Sequence, residues 1–373
     1  MINYIYLNYI RLTFIDLLFF HKILSFIYKI KDYNEISYLK FGCLMLNWKI
    51  EEKILPLKFT WKISRNSSDE KTNFFVTVSD SNFFGIGEIA PNIRYGETPE
   101  IIKEEFKTFS LGNIDSFETL DSFSLHLDSL NLKHSLRFGI ESAYVHYLCN
   151  KQNITPAKYF NLDFPSKVPT SFSIPIIEIS YIKEFIKPLS RFESLKIKVN
   201  QENALDMVNE VAKNTNQKLR VDGNEGWTDV NELISFLEKI KNLNIEFIEQ
   251  PMPSKFVEEY KLLKKNCPFD LIADESIEDQ ADFELLKTQF HGVNMKLMKA
   301  GGYINGIKIL NNARKHNMKT MIGCMIETSL GIYSAYNLSH NADYLDLDGC
   351  LIIKEDPFNL LKEEDGYLIF EHK

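Results

Sequence analysis

The stretch "SLKIKVNQENALDMVNEVAKNTNQKLRVDGNEGW", residues 194–227, reads as a short apolar strand, an amphipathic helix and a second apolar strand. After residue 165 such apolar runs recur, and most are separated by a segment of helix length. The eight runs are "TSFSI", "SLKIKV", "LRVDGN", "EFIEQP", "DLIADES", "GVNMKLM", "KTMIGCM" and "YLDLDG". This alternation predicts an α/β fold with a (β/α) TIM-like barrel rather than a small open sheet.

The first strand of that stretch carries two lysines on one face. Lys196 and Lys198 are two residues apart, so both side chains leave the strand on the same side. The alternate residues Leu195, Ile197 and Val199 are apolar and have a core to join. Adjacent ammonium groups repel each other, and the ordinary explanation for such a pair is a solvated sheet edge.

Acidic residues end the next three predicted strands. Asp222 lies in "VDGNEGW", Glu249 in "IEQP" and Asp274 in "ADES". In a barrel these strand ends converge on one face, where the carboxylates would repel each other without a cation. A single aspartate there is more often a helix cap, but three on consecutive strands are harder to explain by capping. The pattern predicts one Mg²⁺ or Mn²⁺ per subunit.

A third lysine, Lys296 in "NMKLMKAGG", ends the sixth predicted strand, across the barrel mouth from Lys198. A lysine beside a cation and another ammonium has a lowered pKa, which can free an amine to act as a base. A substrate carbon held between Lys198 and Lys296 would meet a base on each face. This arrangement would serve stereochemical inversion.

These motifs resemble the muconate-lactonising-enzyme subgroup of the enolase superfamily. The resemblance rests on "KIK", "VDGNEGW", "IEQP", "ADES" and "VNMKLMKAGG" and covers about Met45 to the C-terminus. It implies removal of a proton α to a carboxylate through an enediolate, with a lysine base and Mg²⁺. The residues that it implies are the metal ligands Asp222, Glu249 and Asp274, the acid/base pair Lys198 and Lys296, the substrate-carboxylate contact Lys196, and a structural Lys299.

Two further segments resemble the dipeptide epimerases of this subgroup. In "YLDLDG", Asp346 and Asp348 aim at one face, and in those enzymes such a pair holds the ammonium of the dipeptide. The segment "GCMIETSLG" is similar to their seventh strand, which implies that Met325, Ile326 and Glu327 lie beside the substrate. The simpler alternative is that the two aspartates only cap or solvate a strand end.

The resemblance therefore predicts an isomerase, an Mg²⁺-dependent epimerase that inverts the α-carbon of the second residue of L-Ala-D/L-Glu or a related L-Ala-X dipeptide. The alternatives on the same scaffold are o-succinylbenzoate synthase, N-acyl amino acid racemase and cycloisomerase. Their substrates lack a free ammonium group, so Asp346 and Asp348 argue against them. A non-catalytic, membrane-associated barrel is disfavoured because every catalytic position carries the expected residue type.

The second residue of the dipeptide is less well defined by the sequence. The flap "FTWKISRNSSDEK" places Arg65 where Ala-Glu epimerases carry an arginine for the glutamate side chain, and Ser173 could border the pocket. In the alternative, an apolar lid closes over a small or apolar side chain. The lid residues would be Phe59, Trp61 and Ile63, with Arg94 and Tyr95 as weaker candidates in either case.

The sequence suggests four segments. Residues 1–44 are an N-terminal extension, 45–160 an α+β capping domain in which "SRNSSDEK" is expected to be a hairpin loop or flap, 161–350 the barrel, and 351–373 a segment that returns to the capping domain. The cap is expected because strands there precede a run of helices.

The first 44 residues leave three interpretations open. They are dense in Ile, Leu, Phe and Tyr, but Arg11, Asp16, His21 and Lys22 interrupt them before the roughly 18 apolar residues of a spanning helix are reached. The favoured interpretation is that translation starts at Met45 and the extension is artefactual or disordered. The others are an interfacial membrane anchor and an extra ordered element.

Composition limits the partners. The net charge is -8, and no dense basic block is present, which argues against nucleic acid. Five scattered cysteines suit a reducing cytoplasm. We expect a cytoplasmic protein with a dipeptide substrate, no membrane partner unless residues 1–44 anchor it, and a possible homo-oligomeric state. For an Ala-Glu substrate, the resemblance implies peptidoglycan-peptide metabolism.

Overall fold

The computed structural model of the protein describes residues 46–112, 117 and 119–371. The interpretations of residues 1–44 as an artefact, an anchor or an ordered element lie outside the described residues. Within those residues, no helix combines the length and the apolar character needed to cross a membrane.

The strands are β1 (Asn47–Lys62), β2 (Ser67–Ser79), β3 (Phe84–Ile89), β4 (Val168–Pro169), β5 (Phe172–Ile174), β6 (Ser194–Lys198), β7 (Lys218–Asp222), β8 (Ile245–Glu249), β9 (Asp270–Ala273), β10 (Gly292–Met295), β11 (Lys319–Gly323), β12 (Tyr344–Asp346), β13 (Leu361–Glu364) and β14 (Tyr367–Phe370). The α-helices are α1 (Pro99–Leu111), α2 (Leu120–Ser129), α3 (His134–Gln152), α4 (Pro156–Tyr159), α5 (Ile182–Ile186), α6 (Ala204–Asn214), α7 (Val230–Ile240), α8 (Val257–Asn266), α9 (Phe283–Gln289), α10 (Leu297–Ala300), α11 (Tyr303–Lys315), α12 (Ser329–Tyr336) and α13 (Gly349–Ile352).

The N-terminal part is an antiparallel sheet, β1-β2-β3, covered by helices. Helix α1 begins at Pro99, and the side chain of Thr98 caps it by accepting a hydrogen bond from the backbone N–H of Ile101. Helix α3 approaches β3 closely, because a Cβ added at Gly87 would lie only 2.1 Å from the carbonyl oxygen of Gly139. Glycine at this position therefore lets the helix and the sheet pack directly.

The second part is a parallel sheet of eight strands in the order β5 to β12. Each of the eight apolar runs identified in the sequence overlaps one of these strands. The connecting helices bury an apolar stripe; in α6 the buried residues are Ala204, Met207, Val208 and Val211, at the spacing expected for one helix face. The predicted fold class, a TIM-like barrel with an α+β cap, is confirmed.

Side chains connect the first and last strands of this sheet. Ser171 Oγ donates a hydrogen bond of 2.6 Å to Asp346 Oδ1, and the backbone N–H of Ser173 donates one of 2.7 Å to Asp348 Oδ2. The backbone N–H of Leu347 donates to Thr170 Oγ1 at 2.8 Å. These bonds join β12 to β5 and close the barrel at the level of the strand ends.

The flap differs from the sequence-based expectation. The polar run "SRNSSDEK" was expected to be a hairpin loop, but only residues 63–66 separate β1 from β2. Ser68 pairs with Trp61 and Lys71 pairs with Leu55 across the hairpin. The expectation was wrong because the first residues of β2 extend beyond β3 and pair with β1 alone, and polar side chains are tolerated where a strand has one free side.

The C-terminal segment contacts both parts of the molecule. Strands β13 and β14 form a hairpin whose second strand pairs with β4, just before the barrel begins. Upstream, Ile353 forms a β-bridge with Leu57 of β1. The rings of Phe358 and Phe75 lie 4.9 Å apart in an edge-to-face contact. The segment therefore holds the cap sheet against the barrel.

Candidate active site

Three carboxylates meet at the ends of neighbouring strands. Asp222 and Glu249 are paired in register across β7 and β8, and Asp274 follows the last residue of β9. One oxygen from each carboxylate lies within 4.8 Å of the others. All three side chains are buried, so their charges interact in a medium of low polarity.

The environment of this acidic cluster favours a bound cation. Burial and the charge of Asp222 raise the pKa of Glu249. Its Oε2 accepts no aligned hydrogen bond within the described residues, although Lys196 Nζ lies 2.8 Å away. A hard divalent cation suits oxygen ligands of this kind, and Mg²⁺ fits the three side chains by charge and donor type.

Lysines flank the acidic cluster on both sides. Lys198 Nζ lies 2.6 Å from Asp222 Oδ2, and Lys296 Nζ lies 2.8 Å from Asp274 Oδ2. Burial would lower the pKa of Lys296, but the charge of Asp274 outweighs it and raises that pKa, which is opposite to the lowering expected from the sequence. Burial alone would raise the pKa of Asp274, and the ammonium groups of Lys296 and Lys299 hold it well below its usual range.

Both flanking lysines line one cavity of about 300 Å³ between the cap and the barrel mouth. Lys198 reaches it from β6, and Lys296 reaches it from the residue after β10, four strands further round the sheet. The structure thus brings the two lysines and the acidic cluster together. Their catalytic roles stay a prediction.

Lys196 lies at the centre of this arrangement. Its side chain is 1% exposed, and its Nζ lies 2.7 Å from Asp346, 2.8 Å from Glu249 and 3.2 Å from Asp222. Burial would lower the pKa of Lys196, but these three carboxylates raise it well above the ordinary value. The repulsion between Lys196 and Lys198 that the sequence suggests is offset by the acids around them.

Asp346 and Asp348 both line the cavity, but their surroundings differ. Burial would raise the pKa of Asp346, and Lys196 lowers it instead to about 2. Burial and the charge of Asp346 raise the pKa of Asp348 to about 7. Asp346 is thus committed to Lys196 and Ser171, whereas Asp348 has no cationic partner within 4 Å among the described residues.

The predicted specificity residues are placed around the same cavity. Ser173, Met325 and Ile326 line it. The backbone N–H of Met325 donates to Glu327 Oε1 at 2.7 Å, and burial followed by the charge of Glu88 raises the pKa of Glu327 to about 8. Glu327 therefore accepts a hydrogen bond within the loop that follows β11 and does not line the cavity itself.

Arg65 lines the cavity with its guanidinium already engaged. It donates to Glu275 Oε1 at 2.7 Å and to the carbonyl oxygen of Asn224 at 3.0 Å. Among the other cap candidates, Trp61, Ile63 and Tyr95 also line the cavity. Two do not: Phe59 packs its ring against Phe185 and Phe172, and Arg94 forms a bidentate pair with Glu225.

Three residues at the site were missed from the sequence. Asn294 Nδ2 donates to Glu249 Oε1 at 2.7 Å, Glu275 pairs with Arg65, and Lys71 lines the cavity from β2. Strand alternation could have found Asn294, which lies two residues before Lys296. Lys71 was hidden because its segment was assigned to a loop.

The chain is similar in sequence to known proteins. The family model "Enolase C-terminal domain-like" matches residues 183–356. An L-Ala-D/L-amino acid epimerase of Flavobacterium johnsoniae is 31% identical over 331 residues, which cover 87% of this chain and 96% of the relative. An L-Ala-D/L-Glu epimerase of Bacteroides thetaiotaomicron is 28% identical over 314 residues, which cover 84% of this chain and 82% of the relative.

A solved structure is similar in fold. The dipeptide epimerase of Cytophaga hutchinsonii, in a complex with Mg and D-Ala-L-Val, superimposes with a TM-score of 0.81 at 20% identity. The match covers 88% of this chain and 94% of that protein. The similarity therefore extends over the cap and the barrel together.

Proposed function

The chain belongs to the dipeptide epimerases of the enolase superfamily, which are Mg²⁺-dependent isomerases, and we propose that Lys198 and Lys296 are its two bases. The observation that supports this assignment is that both amines line one cavity, each hydrogen-bonded to a different member of the acidic cluster. Asp222, Glu249 and Asp274 are the proposed metal ligands.

The two lysines divide the proton transfers between two faces of the substrate. One amine accepts the α-proton of the second residue, and the opposite ammonium returns a proton to the other face. Lys198 Nζ donates a hydrogen bond to Asp222 and Lys296 Nζ donates one to Asp274, and these bonds hold each Nζ in place. In the reverse direction the two lysines exchange roles.

Mg²⁺ held by Asp222, Glu249 and Asp274 would supply positive charge beside the substrate carboxylate and compete with Lys296 for Asp274. Lys196, which lines the same cavity, stays the proposed contact to the substrate carboxylate. Its ammonium adds positive charge where negative charge develops, and burial strengthens that interaction.

Asp348 is the proposed main contact for the ammonium of the first residue. Asp346 already contacts Lys196 at 2.7 Å, so its charge is largely matched within the protein. Asp348 lines the cavity without such a partner in the described part of the chain, which supports this division of roles. A free ammonium group separates dipeptides from the substrates of the alternative enzymes, which lack one.

The second residue of the dipeptide need not be acidic. Arg65 is matched by Glu275 at 2.7 Å and lies 3.7 Å from Glu225, so its charge is not free for a substrate. The relatives also differ in the second residue of the dipeptide for which they are named. One is an L-Ala-D/L-amino acid epimerase and the other an L-Ala-D/L-Glu epimerase. We therefore favour a broad L-Ala-X range over strict selection of glutamate.

Deuterium uptake tests this proposal. The purified full-length protein with Mg²⁺ in D₂O should exchange the α-proton of the second residue of L-Ala-L-Ala and L-Ala-L-Glu, measured by mass, and should form the second isomer. Turnover of a succinylbenzoate precursor without exchange in any dipeptide would contradict it.

Three further expectations stay predictions. A cytoplasmic location is supported by the scattered cysteines, and a role in peptidoglycan-peptide metabolism is supported by the resemblance to Ala-Glu epimerases alone. A homo-oligomeric state is likewise a prediction, which the molecular mass in solution would test.

A further inference from the structure

Five cationic side chains line the cavity, and four of them have a carboxylate partner. The pairs are Arg65 with Glu275, Lys196 with Asp346, Lys198 with Asp222, and Lys296 with Asp274, at 2.6 to 2.8 Å. The fifth cation, Lys71, forms no ion pair or hydrogen bond within the part of the chain that the structure describes. Lys71 therefore brings an unmatched positive charge to the substrate cavity.

The position of Lys71 in the flap identifies the end of the cavity that it faces. Lys71 and Asn73 lie two residues apart on β2 and share one face of the strand. Asn73 Nδ2 donates to the carbonyl oxygen of Ile326 at 3.0 Å, in the loop after β11. Lys71 is thereby placed near the loop that follows β11, and the neighbouring strand β12 leads to Asp348, which lines the same cavity.

The surroundings of Lys71 are apolar. Its strand partner Leu55 belongs to a buried cluster with Trp61, Ile326 and Ile352. The side chain is half-buried, and burial lowers the pKa of Lys71. An incoming carboxylate would form a charge-assisted hydrogen bond there and would offset the loss of hydration.

We infer that Lys71 binds a carboxylate in the side chain of the dipeptide's first residue, so that the enzyme accepts N-terminal glutamate or aspartate. The inference rests on the proposed function, in which Asp348 holds the ammonium of that residue. The side chain of the same residue then lies between Asp348 and the flap, within the region that Lys71 faces. The acidic group balances Lys71, and Asp348 balances the ammonium.

A comparison of kcat/KM for three dipeptides tests the inference. The full-length enzyme with Mg²⁺ is assayed for α-exchange with L-Glu-L-Ala, L-Ala-L-Glu and L-Ala-L-Ala. Lys71→Met should lower the ratio of kcat/KM for L-Glu-L-Ala over L-Ala-L-Ala about tenfold, the effect of losing one charged hydrogen bond. Lys71→Arg should retain most of the ratio, and Lys53→Met, at an exposed position on β1, should leave it unchanged.

The outcomes separate the inference from the function on which it rests. An unchanged ratio in Lys71→Met, or a loss confined to L-Ala-L-Glu, would overturn the first-residue assignment while exchange itself continued. A ratio that fell equally in Lys53→Met would also overturn it, because the effect would then come from the general charge of the flap. Absence of exchange with all three dipeptides in the wild-type enzyme would overturn the proposed function and the inference together.

Discussion

Replacing Lys196 with methionine should destabilise the metal-free protein strongly. The Lys196 ammonium is buried and contacts Asp346, Glu249 and Asp222 at 2.7, 2.8 and 3.2 Å. Methionine fills a similar volume without the charge, so three buried carboxylates lose a shared counterion. Removing one partner of a buried ion pair usually costs about 3–5 kcal/mol.

The pKa of Asp346 gives an independent magnitude. Lys196 outweighs the effect of burial and lowers this pKa from 3.8 to about 2. At 1.36 kcal/mol per pKa unit, the difference is worth about 2.5 kcal/mol of stability at neutral pH. We therefore expect Lys196→Met to lose about 3 kcal/mol of unfolding free energy at pH 7.

The pH dependence of that loss follows from the sign of the shift. A carboxyl group with a lowered pKa in the folded state stabilises the protein above the pKa of the unfolded chain. That contribution disappears as the pH falls from about 4 to about 2. The deficit of Lys196→Met should therefore be largest near pH 7 and should shrink as the carboxylates become protonated.

Urea denaturation in EDTA, followed by tryptophan fluorescence between pH 7 and pH 3, would measure the deficit. The matched control is Lys218→Met on the next strand, whose side chain is 62% exposed and pairs with Glu246 at 3.2 Å. Exposed pairs contribute about 1 kcal/mol or less. A deficit at pH 7 no larger than that of the control, or one that grew on acidification, would refute the reasoning.

Three further predictions concern the ligands. Asp348→Asn should raise KM for the dipeptide about tenfold but change the Mg²⁺ affinity, measured by calorimetry, less than about twofold; equal losses would contradict the ammonium assignment. In the wild-type enzyme, KM should rise as the pH falls below about 7, because burial and Asp346 raise the pKa of Asp348 to about 7 and protonation removes its charge; a constant KM between pH 8 and pH 6 would contradict this. Glu249→Gln should weaken Mg²⁺ binding at least about tenfold by calorimetry, and an unchanged affinity would exclude Glu249 as a ligand.

The barrel could be predicted because its signals are local. A strand such as Ser194–Lys198 is a short apolar run, and helix α6 repeats its apolar residues at helical spacing. The residues that end each strand can also be identified from the sequence, because they follow directly on the apolar run. Since parallel strand ends meet at one edge of a barrel, the approximate positions of Asp222 and Lys296 followed from the topology.

The pairing of charges could not be predicted in the same way. Lys196 and Asp346 are 150 residues apart and meet at 2.7 Å only because the sheet brings β6 and β12 together. The engagement of Arg65 by Glu275 likewise depends on how far the flap folds over the barrel. Lys71 was misplaced because a polar strand segment with one free side has a composition similar to that of a polar loop.

The assignment of two opposed bases is tested most directly by isotope exchange in paired variants. Lys296→Ala and Lys198→Ala should each lose epimerisation by about 10²- to 10⁴-fold. In D₂O with Mg²⁺, each variant should still exchange the α-proton of one isomer of the second residue, and the two variants should exchange opposite isomers. Exchange of the same isomer by both variants, or epimerisation that survives either substitution, would contradict the account.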